Sequence, residues 1–126
     1  MTTQQKTILI VEDEEAVREA LVDTFTREGF DVLSAKNGKE GLDSALSKHP
    51  DLILLDIVMP IMDGITMAKQ LRQDEWGKHV PIILLTNLSD VEHVASAVEN
   101  DMYDFLVKTD WTLDSVVTTV KERLGI

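Results

Sequence analysis

Cysteine is absent from the 126-residue chain, which excludes a disulfide framework and a thiolate metal site. No apolar run approaches the roughly 20 residues that a membrane-spanning helix requires, and residues 1–6 lack the apolar stretch of a signal peptide. Internal repeats, low-complexity tracts and linkers are also missing. These absences predict a cytoplasmic protein with one domain over residues 1–126, whose first six residues form a flexible tail.

Positive charge is scarce, because 12 lysines and arginines face 23 aspartates and glutamates and the formal net charge is −11. A domain this acidic is repelled by phosphate backbones, so we expect no direct binding to nucleic acid. The acidity has two interpretations, solubility or a carboxylate site for a hard cation. The positions of the carboxylates decide between them.

Three continuous apolar runs cover residues 8–11, 52–55 and 82–85, and weaker strand candidates cover 31–35 and 104–107. Continuous rather than alternating runs are typical of central parallel strands that are buried on both faces. The sequence therefore predicts five strands, of which three lie at the centre of a sheet.

Helical periodicity follows each of these runs, over about residues 14–28, 39–48, 64–73, 90–100 and 113–124. Five strands alternating with five helices predict an α/β fold, a single doubly wound parallel sheet with right-handed crossovers. The expected strand order is 2-1-3-4-5, the flavodoxin-like arrangement. Ligands in such folds bind at the carboxyl ends of the strands, near the switch point between the first and third strands.

Acidic residues follow two of the predicted central strands. Glu12 and Asp13 come after the first, and Asp56 ends the third, so we expect their carboxylates to converge at the switch point. Crowded carboxylates repel one another, and a divalent cation removes that cost. Because Mg²⁺ combines a few carboxylates with substrate phosphate, an incomplete acidic site of this kind suits phosphoryl chemistry.

Thr86 and Lys108 end the fourth and fifth predicted strands and should reach the same edge. A lysine there can pair with a carboxylate or with a phosphoryl oxygen, and a threonine hydroxyl can donate a hydrogen bond to the same group. A nucleophilic aspartate, a metal and charge neutralisation are what in-line phosphoryl transfer needs.

Four motifs carry these residues: VED at 11–13, LLDIVMPIMDG at 54–64, PIILLT at 81–86 and DFLVK at 104–108. Each is weak alone, but in this order and at these spacings they closely resemble the receiver domains of bacterial two-component response regulators, including chemotaxis regulators. The resemblance covers nearly the whole chain.

This resemblance implies that Asp56 accepts a phosphoryl group from a histidine kinase or a phosphotransfer protein. The chain would then be no enzyme towards other molecules, but a phosphoacceptor that catalyses its own phosphorylation and dephosphorylation. The implied cofactor is Mg²⁺, ligated by Asp13, Asp56 and the main-chain carbonyl of Val58, with Glu12 acting partly through water.

The resemblance also implies a switch. Lys108 should bind the phosphoryl group, Thr86 should move towards it, and Phe105 should follow by changing rotamer. The face formed by the fourth helix, the fifth strand and the fifth helix would then meet an effector that the sequence does not identify. We expect a monomer or a weak dimer.

Two apolar residues lie two positions beyond the acceptor and the switch hydroxyl. Val58 follows Asp56 in this way, and Leu88 follows Thr86. Our hypothesis is that both overhang the phosphoryl group, hinder attack by water and lengthen the phosphorylated lifetime.

Several positions depart from the family pattern. Thr109 follows Lys108 where the family usually has proline with a cis bond, and a cis bond before a non-proline residue costs about 2.5–4 kcal/mol, so we predict a trans bond. Asn87 stands in place of a small residue, and Asp101 lies where Gly-Ala is common. Phe105 replaces the commoner tyrosine, and its ring should favour the inward state.

Simpler interpretations of the site residues remain. Glu12 and Asp13 can serve helix N-capping and complement the helix dipole, which is compatible with a metal site. Asp56 can be a solvated loop carboxylate, Lys108 a surface charge and Phe105 ordinary core, and Thr86 can be a cap.

Three alternative functions stay open. The chain can be the regulatory part of a longer transcription factor or output enzyme, although no linker follows Ile126 and we expect a stand-alone protein. It can be a pseudo-receiver regulated without phosphate, which the unusual Asn87, Asp101 and Thr109 keep possible. A flavodoxin-like cofactor binder is disfavoured, because carboxylates rather than a Gly- or Ser/Thr-rich phosphate loop follow the first strand.

Overall fold

The structure is a computed structural model that describes residues 5–86, 104–107 and 112–126, with the backbone alone at residue 86 and at residues 104–107. Its strands are β1 (Thr7–Val11), β2 (Asp31–Ala35), β3 (Leu52–Asp56), β4 (Ile82–Thr86) and β5 (Asp104–Val107). Its helices are α1 (Glu15–Arg27), α2 (Gly38–Lys48), α3 (Gly64–Leu71) and α4 (Leu113–Leu124). None of these helices is long and apolar enough to cross a membrane.

The strands form one parallel sheet in the order β2-β1-β3-β4-β5, which agrees with the predicted order. β1 and β3 are neighbours although three elements separate them in sequence, and Val11 pairs with Leu55. On its other side β3 pairs with β4, where Asp56 lies opposite Leu85. Because Glu12 directly follows Val11, this register brings Glu12 level with Asp56 at the carboxyl edge of the sheet.

Two cores cover the two faces of the sheet. Leu9 and Ile53 contribute to the core under α2 and α3, while Ile8 and Leu54 contribute to the core under α1 and α4. Successive side chains of a strand point to opposite faces, so a strand that is covered on both sides must be apolar throughout. Burial on both faces therefore explains why the apolar runs in β1, β3 and β4 are continuous.

Local signals determine where the helices begin and end. Gly29 has a φ of +94°, and the Phe30 N–H donates to the Phe25 carbonyl, which is the hydrogen bond of a Schellman motif at the end of α1. Asn37 is the N-cap of α2, and its side chain accepts a hydrogen bond from the Glu40 N–H. Thr112 and Ser115 form a capping box at the start of α4.

The predicted helix bounds are close to the observed ones. α1 is one residue shorter at each end than predicted, and α3 ends at Leu71 rather than near residue 73. α2 ends through His49, which has a left-handed φ of 49° one residue before Pro50. The predicted helix at about 90–100 and the peptide bond between residues 108 and 109 lie outside the described residues.

The loop between β3 and α3 contains a strained residue. Ile61 has a φ of +70° and is 82% exposed, and the Met62 N–H donates to the Pro60 carbonyl at 2.7 Å across it. A positive φ crowds Cβ against the neighbouring backbone, which is unfavourable for a β-branched residue. Such a three-residue turn with positive φ is rare and strained.

We predict that Ile61→Asn stabilises the protein by about 1 kcal/mol, since asparagine adopts a positive φ more readily than a β-branched residue does and the isoleucine side chain buries little surface. The free energy of unfolding is measured by urea denaturation. Val58→Asn is the control, because Val58 is also β-branched and 66% exposed but lacks a positive φ; it should change stability by less than about 0.5 kcal/mol. Equal effects of the two changes would contradict this interpretation of Ile61.

Candidate functional site

Three carboxylates converge at the carboxyl edge of the sheet. Glu12, Asp13 and Asp56 each offer one oxygen, and these oxygens all lie within 4.8 Å of one another. Glu12 and Asp56 are buried, whereas Asp13 is exposed. The convergence that the sequence predicts is therefore present, and one side of the cluster is open to solvent.

Asp56 is the last residue of β3 and only 4% exposed. Its Oδ1 accepts a hydrogen bond of 2.9 Å from the N–H of Ile57. Because this N–H belongs to the next peptide unit, the hydrogen bond fixes the plane of the carboxylate relative to the end of the strand. The main chain of Asp56 is therefore held by the sheet, and its carboxylate is held in one orientation by the Ile57 N–H.

Glycines hold the following loop close to Asp56. The Gly64 N–H donates to the Ile57 carbonyl at 2.8 Å, and a Cβ on Gly64 would overlap the carbonyl oxygen of Asp56. The Gly38 N–H donates to the Met62 carbonyl at 3.0 Å, where a Cβ on Gly38 would again overlap that oxygen. Residues 57–63 are therefore attached both to α3 and to the first residue of α2.

Glu12 lies just beyond β1, where its N–H donates to the Ala35 carbonyl at 3.0 Å and extends the pairing with β2. Its side chain is fully buried, and Oε2 accepts a hydrogen bond of 3.2 Å from the Glu14 N–H at the start of α1. Glu12 is not the N-cap of α1, because that position is Glu14, whose side chain makes no capping hydrogen bond. The Glu12 carboxylate instead accepts from the N–H of Glu14 and lies beside Asp56.

Arg18 of α1 contacts the turn that carries Glu12 and Asp13, although none of the sequence motifs includes it. Its Nη1 donates to the carbonyl of Glu12 at 2.9 Å and approaches the carbonyl of Asp13 at 3.4 Å. The sequence nevertheless contains a signal for this contact. The start of a helix favours acidic residues, so an arginine just after the first turn of α1 is unexpected unless its side chain has a specific partner.

The donor set fits a hard divalent cation. All three side chains offer carboxylate oxygens, which Mg²⁺ and Ca²⁺ prefer over the nitrogen and sulfur ligands of softer metals. Two buried negative charges beside a third are unfavourable in a medium of low polarity, and a cation offsets that repulsion. Val58 lies two residues beyond Asp56, and its side chain is exposed.

The remaining predicted residues are described in part. Thr86 ends β4 one position beyond Leu85, the partner of Asp56, and its backbone pairs with Val107. The backbone of Phe105 pairs with Leu84. The side chains of Thr86 and Phe105 lie outside the described residues, as do the whole of Lys108, Leu88, Asn87, Asp101 and Thr109.

The sequence is similar to a known protein family and to proteins of known structure. Residues 8–121 match the sequence model of the response regulator receiver domain. The chain is 38% identical to the regulatory protein AtoC of Escherichia coli over 94% of this chain and 25% of that protein. It spans less than half the length of the curated relatives it matches.

Two solved structures are similar over almost their full length. The receiver domain of a signal transduction histidine kinase from Syntrophus aciditrophicus is 32% identical, with a TM-score of 0.85 over 95% of this chain and 90% of that one. The receiver domain of the sensor histidine kinase PA1611 from Pseudomonas aeruginosa is 27% identical, with a TM-score of 0.86 over 98% of this chain and 100% of that one. The latter structure has a magnesium ion coordinated in its active site cleft.

We predict that Gly64→Ala lowers both the stability of the protein and its affinity for Mg²⁺. The new Cβ displaces the carbonyl of Asp56, and overpacking of this kind costs about 1–3 kcal/mol. Gly125→Ala is the control, because Gly125 has a φ of +73° but a Cβ added there would meet no atom within 4 Å. It should cost about 1 kcal/mol through backbone strain and leave Mg²⁺ binding, measured by calorimetry, unchanged. Wild-type affinity in the Gly64 variant would show that the close approach does not position Asp56.

Proposed function

The chain belongs to the family of response regulator receiver domains of two-component systems, and on that premise we propose that Asp56 is its phosphoacceptor. The observation that carries the proposal is the buried Asp56 carboxylate beside the oxygens of Glu12 and Asp13, at the end of a central parallel strand. The donor is a phosphohistidine of a histidine kinase or a phosphotransfer protein. The proposed domain takes in residues 1–126.

In the proposed reaction, a carboxylate oxygen of Asp56 attacks the phosphorus of the donor. The new bond joins that oxygen to phosphorus, the bond between phosphorus and the imidazole nitrogen breaks, and its electron pair stays with the nitrogen. In the return step water attacks the phosphorus, the bond to Asp56 breaks, and inorganic phosphate and the free carboxylate result. The chain contributes orientation, because the Ile57 N–H and the rigid end of β3 hold the carboxylate in one direction.

Asp13, Asp56 and the main-chain carbonyl of Val58 would hold Mg²⁺, with Glu12 acting partly through water. The ion supplies neutralisation of the charge on the carboxylates and on the phosphoryl oxygens. The all-oxygen composition of the cluster supports this choice of metal, and so does the magnesium in the similar PA1611 receiver domain.

The signal from Asp56 would pass through three further residues. Lys108 binds the phosphoryl group, Thr86 donates a hydrogen bond to it, and Phe105 follows inwards. The surface that changes combines the predicted helix at about 90–100 with β5 and α4, and it contacts an effector protein. The observed order of β3, β4 and β5 supports this proposal, because it makes the strand that ends in Thr86 the neighbour of both others.

We predict that a small-molecule phosphodonor with Mg²⁺ adds one phosphoryl group to the protein and that Asp56→Asn abolishes the addition, because the amide is not a nucleophile. Mass spectrometry of the intact protein and of its peptides measures the modification, and chelation of Mg²⁺ should suppress it.

Asp63→Asn is the matched control. It makes the same chemical change in the same loop, and asparagine caps a helix as well as the aspartate that now accepts a hydrogen bond from the Thr66 N–H. This variant should be modified like the wild type. A wild-type protein that remains unmodified would favour a pseudo-receiver, and modification of the Asp56 variant would place the acceptor elsewhere.

We also predict that replacing Val58 and Leu88 together with asparagine speeds hydrolysis of the phosphorylated form severalfold, because polar side chains no longer exclude water from the phosphorus. Val58 lies two residues after Asp56 and its side chain is 66% exposed, which is compatible with a position where it meets solvent water. The lifetime of the phosphorylated form is followed after removal of the phosphodonor.

Leu46→Gln is the control, because Leu46 is an apolar surface residue on α2 that is 39% exposed. It should leave the rate of hydrolysis unchanged. An unchanged rate of hydrolysis in the double variant would contradict the hypothesis.

A further inference from the structure

We propose that Arg18 is a positioning residue of the metal site: it contacts neither metal nor phosphoryl group, but fixes the turn from which Glu12 and Asp13 project. The inference rests on the proposed function and extends it to a residue of α1. Its basis is the contact of the Arg18 Nη1 with the carbonyls of both acidic residues, at 2.9 Å and 3.4 Å.

The contacts of Arg18 bridge the end of β1 and the start of α1. Its side chain holds the carbonyl of Glu12 in a half-buried setting, while its own N–H donates to the Glu14 carbonyl at 2.9 Å. The side chain of Arg18 thus contacts the first two carbonyls of the three-residue turn between strand and helix, and the third carbonyl accepts the first main-chain hydrogen bond of α1. Hydrogen bonds from a charged donor are stronger than neutral ones.

Asp13 depends most on this attachment. Within the described part of the chain its carboxylate accepts no hydrogen bond, although its carbonyl faces Arg18. Since Asp13 is exposed, the direction of its side chain is determined chiefly by its main chain. If the peptide planes on either side of Asp13 rotate, its carboxylate leaves the cluster with Asp56.

The position of Arg18 is otherwise unfavourable, which indicates a specific role for its side chain. A cation near the start of a helix opposes the helix dipole, and Arg18 is only half buried, so packing alone does not account for it. The two carbonyl contacts offset that disadvantage. Removal of a residue that hydrogen-bonds a metal ligand directly typically lowers metal affinity by about 10–100-fold, and we expect the lower end of this range for a residue that holds the main chain of the ligands.

Electrostatics and positioning predict opposite results, which makes the inference testable. A positive charge close to a cation site repels the cation, so its loss should strengthen binding if charge alone matters. If Arg18 positions the turn, its loss should weaken binding instead. The sign of the change in Mg²⁺ affinity therefore separates the two explanations.

The experiment titrates the full chain with Mg²⁺ in the absence of any phosphodonor, by calorimetry and by amide chemical shifts of residues 12–14. Arg18→Met keeps the length, the apolar stem and the helix propensity but removes the guanidinium. Arg27→Met is the control, because Arg27 lies on the same helix in an exposed ion pair with Asp23 and loses the same charge. We expect Arg18→Met to weaken Mg²⁺ binding about tenfold and Arg27→Met to change it less than about twofold.

Arg18→Lys separates positioning from charge. Lysine keeps the charge but is a point donor without the planar fork of arginine, so we expect it to weaken Mg²⁺ binding as well. Wild-type affinity in the lysine variant, or unchanged or tighter binding in Arg18→Met, would overturn the inference. Urea denaturation of each variant verifies that the protein remains folded at the temperature of the titration.

A second measurement distinguishes this inference from the proposed function. With a small-molecule phosphodonor, the Mg²⁺ concentration for half-maximal phosphorylation should rise about tenfold in Arg18→Met, whereas the maximal rate at saturating Mg²⁺ should stay close to that of the wild type. A fall in the maximal rate alone would mean that Arg18 acts on the reaction itself and would overturn the positioning role. Failure of the wild type to accept phosphate would instead defeat the proposed function, and the Mg²⁺ titrations would still test Arg18.

Discussion

The parallel pairing of β1 with β3 is the constraint on which the site depends. It aligns Val11 with Leu55 and so forces the carboxylates of Glu12 and Asp56 into the same small volume, although a helix–strand–helix segment separates them in sequence. Both strands are covered on two faces, so they cannot separate to relieve the repulsion. The hydrophobic effect that assembles the sheet thereby holds carboxylates close together at its edge despite their mutual repulsion, and binding a cation there would offset that repulsion.

Much of this architecture could be predicted from the sequence because its causes are local or periodic. Continuous apolar runs indicate strands buried on both faces, and the alternation of strands and helices restricts the topology to very few arrangements. From that topology alone, residues at the ends of β1 and β3 must share an edge. The positions of Glu12, Asp13 and Asp56 follow without knowledge of a single side-chain contact.

The features that could not be predicted from the sequence depend on contacts of the main chain. Arg18 acts on two carbonyls, and every residue has a carbonyl, so no pattern of side chains marks its targets. The positive φ of Ile61 has a similar origin, because closure of the loop imposes it against the preference of the residue. Gly64 looks like an ordinary helix start until the structure places it against the carbonyl of Asp56.

The anchoring of residues 57–63 at both ends has a consequence for how this protein can change. Gly38 and Gly64 hold the loop through its backbone, while the side chains of Val58, Pro60 and Ile61 point outwards and are exposed. Substitutions at these outward positions change the exposed surface of the loop while both backbone attachments are kept. A loop that is attached at both ends and exposed between them can vary its side chains while its backbone path is preserved, which makes positions 58, 60 and 61 suitable for redesigning the surface of this protein.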